Sequence, residues 1–206
     1  MILLPVLLFF LNKKELKKSK QVIFLYASVI FLLRFAYTFF FTNFPLTAQI
    51  IYTLYTPLEF GIIIYFFHYT LNYYFHKKAV LLSGILFLVY YIKTIFSSPL
   101  GEFNSMINGI SLLLTLAYSL LYYYEQLRYP STLFIYAQPD FWFITGFFMY
   151  AAGAFFVFLF RESSVSNSEF LTQYLYIHSF SSILRSILFS IAMITKPEKA
   201  RAPEFF

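Results

Sequence analysis

The sequence predicts an all-α, polytopic membrane helical bundle with seven transmembrane helices, the first one short, the N-terminus outside and the C-terminus inside. Three observations predict it. First, 60% of the 206 residues are hydrophobic, 24% are aromatic and only 12% are charged, whereas a soluble domain is about 45–50% apolar and about 25% charged. A soluble domain of this length has too little interior to bury so much apolar surface. Second, apolar stretches near span length recur along the whole chain. Third, lysines and arginines collect in alternate connections.

A membrane helix needs about 20 mostly apolar residues. Six stretches meet this: 21–42, 47–71, 79–97, 103–124, 139–160 and 169–195. A seventh, 1–12, is apolar but covers only roughly 18 Å of a hydrocarbon core about 30 Å thick. It lacks the charged start and small-residue cleavage site of a signal peptide, and the polar face of an interfacial helix. It reads as an incomplete first span, sheltered by its neighbours or preceded by more chain. The whole chain, 1–206, forms one transmembrane domain ending in a short cytoplasmic tail, 196–206.

Orientation follows from charge. Lys13, Lys14, Lys17, Lys18 and Lys20 follow the first segment, Lys77 and Lys78 the third, Arg128 the fifth, and Lys196, Lys199 and Arg201 the last. The connections Thr42–Leu46 and Ser97–Glu102 contain no basic residue, and the sixth connection has only Arg161 beside Glu162. Cationic loops stay cytoplasmic, so the net charge of +6 needs no nucleic acid to explain it. The longest loop, Glu125 to Gln138, is cytoplasmic on this reading. No phosphate-binding loop, dinucleotide fingerprint or kinase signature is present, and no cofactor is implied.

Four charges fall inside apolar segments: Arg34, Glu59, Lys93 and Arg185. Such a charge costs at least about 2.5–3.5 kcal/mol at mid-membrane and turns to the bundle interior or a partner. Counting about 1.5 Å per residue from the outer ends, Arg34 lies roughly 12 Å deep, Glu59 roughly 18 Å and Arg185 roughly 24 Å. One carboxylate bracketed by two guanidiniums is the expected cluster, since the arginine fork binds a carboxylate with two hydrogen bonds. It specifies how helices two, three and seven assemble, forms a ligand site that prefers an anion, or leaves its members unpaired and snorkelling on the lipid side. Lys93, near an outer end, can snorkel to water.

Two polar stripes accompany the cluster. His178, Ser181, Ser182 and Arg185 share one helical face. Asn104, Asn108, Ser111, Thr115, Tyr118 and Tyr122 form a line along the fifth segment. Such stripes either glue helices together or line a wet cavity. The candidate ligand-binding or coupling residues are therefore Arg34, Glu59, Arg185, His178, Asn104 and Asn108. The three histidines form no metal-ligand spacing, the chain has no cysteine, and no catalytic constellation is readable. Lys196 lies at a helix end, not where a retinal Schiff base would need it.

Three features concern helix shape. Pro57 removes a backbone hydrogen bond beside Glu59 and is expected to kink its helix. Asp140, after Pro139, reads as an N-cap, and Trp142 as an interface anchor. Gly146 and Gly153, with Ala154, give the sixth helix a small face for close helix approach.

The stretches Tyr55-Thr56-Pro57-Leu58-Glu59-Phe60 and Pro139-Asp140-Phe141-Trp142-Phe143-Ile144-Thr145-Gly146, continuing to Tyr150 and Gly153, resemble segments of small bacterial seven-helix membrane proteins. Some of those are similar to the membrane input modules of sensor histidine kinases. The resemblance implies a non-enzymatic sensor or regulator of the bacterial inner membrane with Glu59 in its core. The sequence departs from that pattern in one way: only 11 residues, 196–206, follow the last helix, with no signalling domain among them, so a separate cytoplasmic or membrane partner is expected. Two alternatives use the same residues: a small transporter for an anionic or amphipathic solute, and a structural subunit of a membrane complex.

Overall fold

The computed structural model describes residues 3–11, 18–97, 105–130, 134–161 and 168–196. The described residues are helical, without strands. The helices are α1 (Leu3–Leu11), α2 (Lys18–Asn43), α3 (Pro45–Thr70), α4 (Tyr74–Ser97), α5 (Ser105–Arg128), α6 (Pro139–Arg161) and α7 (Ser168–Ile194), with one 3₁₀ turn at Ile135–Ala137 before α6. Asn104, Lys13, Lys14, Lys17, Glu162, Lys199 and Arg201 lie outside the described residues. Among the described residues five helical stretches are long and apolar enough to cross a membrane: Lys18–Phe41, Pro45–Thr70, Tyr74–Ser97, Met106–Arg128 and Thr172–Ile194.

Each element has a local cause. Phe44 alone separates α2 from α3, because Pro45 is pre-set for the first helical position and has no N–H to lose there. This link is shorter than the expected one. α4 starts at Tyr74, several residues before the expected 79, and takes Lys77 and Lys78 into its first turns. The lysine stems tolerate this because their ammonium groups reach outward, and Lys78 Nζ sits 4.5 Å from the centre of the Tyr74 ring. α5 likewise runs on to Arg128, so Glu125 belongs to a helix and not to the loop. Asp140 sits inside the first turn of α6, not at its N-cap. A carboxylate there still suits the positive end of the helix dipole.

Contacts between helix ends place Lys18 and Lys20 at the end of the bundle where α3 and α7 finish. Lys18 lies over the Tyr69 ring at the end of α3. Lys20 reaches the end of α7, donating to Met193 O at 3.0 Å and Thr195 O at 2.9 Å. This lysine, expected to mark topology only, is 3% exposed and caps carbonyls that α7 leaves without intrahelical donors.

Toward this lysine-rich end lies a dense aromatic core. Phe66, Phe67, Phe143, Phe147 and Phe189 are buried and meet edge-to-face or tilted, at ring distances of 5.0–6.2 Å. α1 closes one side: Phe9 stacks on Phe24 of α2 at 3.9 Å. The small face of α6 meets α7. A Cβ at Gly146 would fall 2.8 Å from two Phe189 ring atoms, so glycine permits the approach.

α3 continues through Pro57. Proline has no N–H for the carbonyl four residues back, which is Thr53 O. The Tyr91 hydroxyl of α4 donates to that carbonyl instead. Removing the hydroxyl takes this hydrogen bond away, so Tyr91→Phe is expected to cost about 0.5–1.5 kcal/mol. In a Pro57→Ala background the restored amide serves Thr53, and the same change should cost much less. Unfolding midpoints of the four proteins measure this, and additive effects would contradict it.

Candidate functional site

The site is a cavity of about 350 Å³ among α2, α3, α5, α6 and α7. Its floor lies at the upper edge of the aromatic core, at Phe147 and Arg185. Arg34 and Thr38, one turn apart on α2, are its exposed lining residues and mark the mouth, in the lysine-poor half.

Arg185 of α7 is 1% exposed. Its Nη1 donates to Tyr26 Oη at 2.8 Å and lies 3.4 Å from Glu59 Oε1. The Tyr26 hydroxyl in turn donates to Glu59 Oε1 at 2.6 Å. Three helices thus meet in one triad: Tyr26 from α2, Glu59 from α3 and Arg185 from α7. Tyr26 occupies a face of α2 that also buries Ile23, Ala27 and Ile30, which is helical spacing. The guanidinium lies over the Tyr150 ring at 3.9 Å from its centre, a close cation–π contact. Arg185 Nη2 is buried and has no hydrogen-bond partner among the described residues.

The expected pairing of Glu59 with Arg185 is present. The expected bracket with Arg34 is not. Arg34 Nη2 contacts Tyr55 Oη at 3.3 Å, and its guanidinium lies 5.9 Å from that ring. Tyr55 is one turn nearer the lysine-poor end than Glu59, about 6 Å along α3. Arg34 is too shallow to reach the carboxylate, and Tyr26, about 12 Å deeper on α2, fills the position opposite Glu59. Arg34 still faces the same cavity.

The polar stripes divide between the two expected roles. On α7, His178 and Arg185 line the cavity. His178 Nε2 lies 3.2 Å from Tyr150 Oη, and its ring stacks on Tyr174. Ser181 is buried against Gly153 instead, and Ser182 is half-buried outside the cavity lining. On α5, Asn108, Ser111 and Thr115 line the cavity, and Thr56 Oγ1 reaches Asn108 Oδ1 at 3.5 Å. Further along, Tyr118 ties α5 to α4 through Ser83 Oγ at 2.8 Å. Asn104, the start of this stripe, lies outside the described residues. Lys93 is exposed near the end of α4, away from the cavity.

Sequence reasoning missed two polar constellations. Tyr26 had no signal separating it from 18 other tyrosines among the 19. Glu125, only 3% exposed, accepts from the backbone N–H of Asn72 at 2.7 Å and of Tyr73 at 3.0 Å, and its Oε1 lies 2.7 Å from His76 Nδ1. It caps α4 from another helix. The available signal was an acid one turn before the end of α5 beside a helix start with no Ser, Thr or Asp to cap it. Trp142 donates to Tyr136 O at 2.8 Å and secures the 3₁₀ turn to α6.

No family model, curated protein or solved structure matches the chain.

Proposed function

We propose that the protein is a non-enzymatic, seven-span sensor or regulator of a bacterial inner membrane. It binds a ligand in the cavity and acts through a separate cytoplasmic or membrane partner. The reading counts α6, with its 23 residues, as a sixth full span and α1 as a short seventh. It places the lysine-rich end in the cytoplasm, since cationic loops stay there.

The observation that carries the reading is a cavity ending on a buried charged triad that joins three helices. Two of those helices, α2 and α7, are joined again at the lysine-rich end, where Lys20 holds the last carbonyls of α7. A ligand that alters Arg185 or Glu59 biases α7 against α2, and the Lys20 contacts lie on the same two helices. A ligand shifts such an equilibrium only by binding one arrangement better than the other, and the triad is where that difference arises.

The test uses the absence of native cysteine. In a Lys196→Cys variant, the maleimide labelling rate reports on the lysine-rich end. Glu59→Gln keeps an oxygen for Tyr26 but removes the charge. It is expected to change the Lys196→Cys labelling rate several-fold while membrane insertion is retained. An unchanged rate would remove the regulatory reading.

A transporter reading is favoured by one observation, the run of Asn108, Ser111 and Thr115 along the cavity wall. It requires the cavity to open to the lysine-rich end as well, through the Phe147–Phe189 layer. Labelling of a cavity cysteine from both sides of the membrane would establish it.

A further inference from the structure

Building on the ligand-site reading above, we propose that the cavity takes an amphipathic monoanion: a carboxylate head on Arg185 and an apolar body against the aromatic wall. Three observations converge on this class. The first is charge. The lining includes two arginines, Arg34 and Arg185, against one acid, Glu59. A single negative charge completes the balance. A cation adds to the excess, and a dianion overshoots it.

The second observation is the guanidinium itself. One edge is used: Nη1 serves Tyr26 and Glu59. The other nitrogen, Nη2, is buried without a hydrogen-bond partner among the described residues. A buried donor left unpaired costs about 1–3 kcal/mol, more when charged. The Tyr150 ring, its centre 3.9 Å from the guanidinium carbon, helps hold the head group in place. A planar two-oxygen acid is the natural acceptor for such an edge.

Glu59 does not fill this role. Its 3.4 Å separation from Nη1 is longer than the roughly 2.7–2.9 Å of a good charge-assisted bond. Glu59 is held by the Tyr26 hydroxyl at 2.6 Å. Arg185 is thus shared, with one edge weakly on Glu59 and Nη2 left without a partner among the described residues.

The third observation is the wall. Tyr55, Phe60, Phe147, Phe158 and Tyr174 present rings to the cavity. A volume of about 350 Å³ lies at the small end of ligand pockets, which are mostly apolar with a few placed polar groups. Arg34 at the mouth attracts an approaching anion. The acid has two possible sources, water or the surrounding lipid, and the chemistry is the same.

The experiment uses Thr56→Cys, which places a thiol in the cavity wall, in nanodiscs of neutral phosphatidylcholine. Protection from N-ethylmaleimide is measured with 4-phenylbutyrate, 4-phenylbutanol and 4-phenylbutylammonium, and separately with palmitate and hexadecanol in the bilayer. Protection by either acid, and not by its uncharged or cationic analogue, is the expected result. 4-Phenylbutyrate alone identifies a water-borne ligand, palmitate alone a lipid-borne one. Arg34→Gln, at an exposed position, is expected to weaken protection about tenfold. Glu59→Gln should strengthen it by removing a competing charge.

Equal protection by the alcohols, no protection by either acid, or a Thr56→Cys thiol that no maleimide reaches would each overturn the proposal. None of these outcomes bears on the Lys196→Cys rates. A responsive Lys196→Cys with no anion protection discards the ligand class and leaves the regulatory reading standing.

Discussion

Glu59→Leu is expected to lower the stability of the purified protein by about 3 kcal/mol, the low end of the cost of breaking a buried ion pair from one side, because the Glu59 side chain is 16% exposed. The guanidinium of Arg185, 1% exposed, would keep its positive charge with only the Tyr26 oxygen and the Tyr150 ring as partners. Lipid gives no escape, since a charge at that depth is costly there too. The double variant Glu59→Leu/Arg185→Met should recover most of the loss, because two apolar side chains of similar volume remove both charges together. Glu59→Gln should be far milder, which is why it serves as the functional probe. Unfolding midpoints in mixed micelles measure all three. A Glu59→Leu protein as stable as the parent would show that the pair is solvated and does not join α3 to α7.

Glu125→Ala is expected to cost about 2–4 kcal/mol and to act locally. The carboxylate accepts from two backbone amides and lies against His76. Those amides belong to Asn72 and to Tyr73, the residue before the first residue of α4. Removing their acceptor strips α4 of its cap, and Lys77 and Lys78 sit unfavourably at the positive end of its dipole. Amide exchange over 74–78 should rise, while exchange in α6 and α7 stays as in the parent. Glu125→Gln should show an intermediate effect, keeping an acceptor but losing the charge. Unaltered exchange at 74–78 would mean that α4 holds its own start and that the cross-helix cap contributes nothing.

Much of the bundle is legible in the sequence because its causes are long and repetitive. Apolar runs, the lysine alternation and the Gly146 face depend on composition over many residues, and errors of two or three positions do not disturb them. The boundaries that moved did so where lysines stood. Lys77 and Lys78 read as loop, yet a lysine stem lies comfortably along a helix with its charge outside. The Glu59–Arg185 pair was legible from depth alone, since a charge in an apolar helix must find its counter-charge. Depth could not decide between Arg34 and Tyr26, because guanidinium reach blurs position by about a turn and a tyrosine gives no sequence signal of its pairing. Lys20, Glu125 and Tyr91 were missed for a shared reason. Each repairs a backbone group on a different helix: the end of α7, the start of α4, and the carbonyl freed by Pro57. Such repairs depend on which helices become neighbours, which the local pattern does not specify.

The cavity opens in the lysine-poor half and is floored by aromatic rings before the lysine-rich end. Asn108→Cys tests it most directly, because that residue lines the cavity in a chain with no other thiol. An anionic, membrane-impermeant methanethiosulfonate is applied to sealed vesicles of known orientation, from one side and then from the other. Modification from the lysine-poor side only is the expected result; modification from the lysine-rich side, or from neither, would contradict the account.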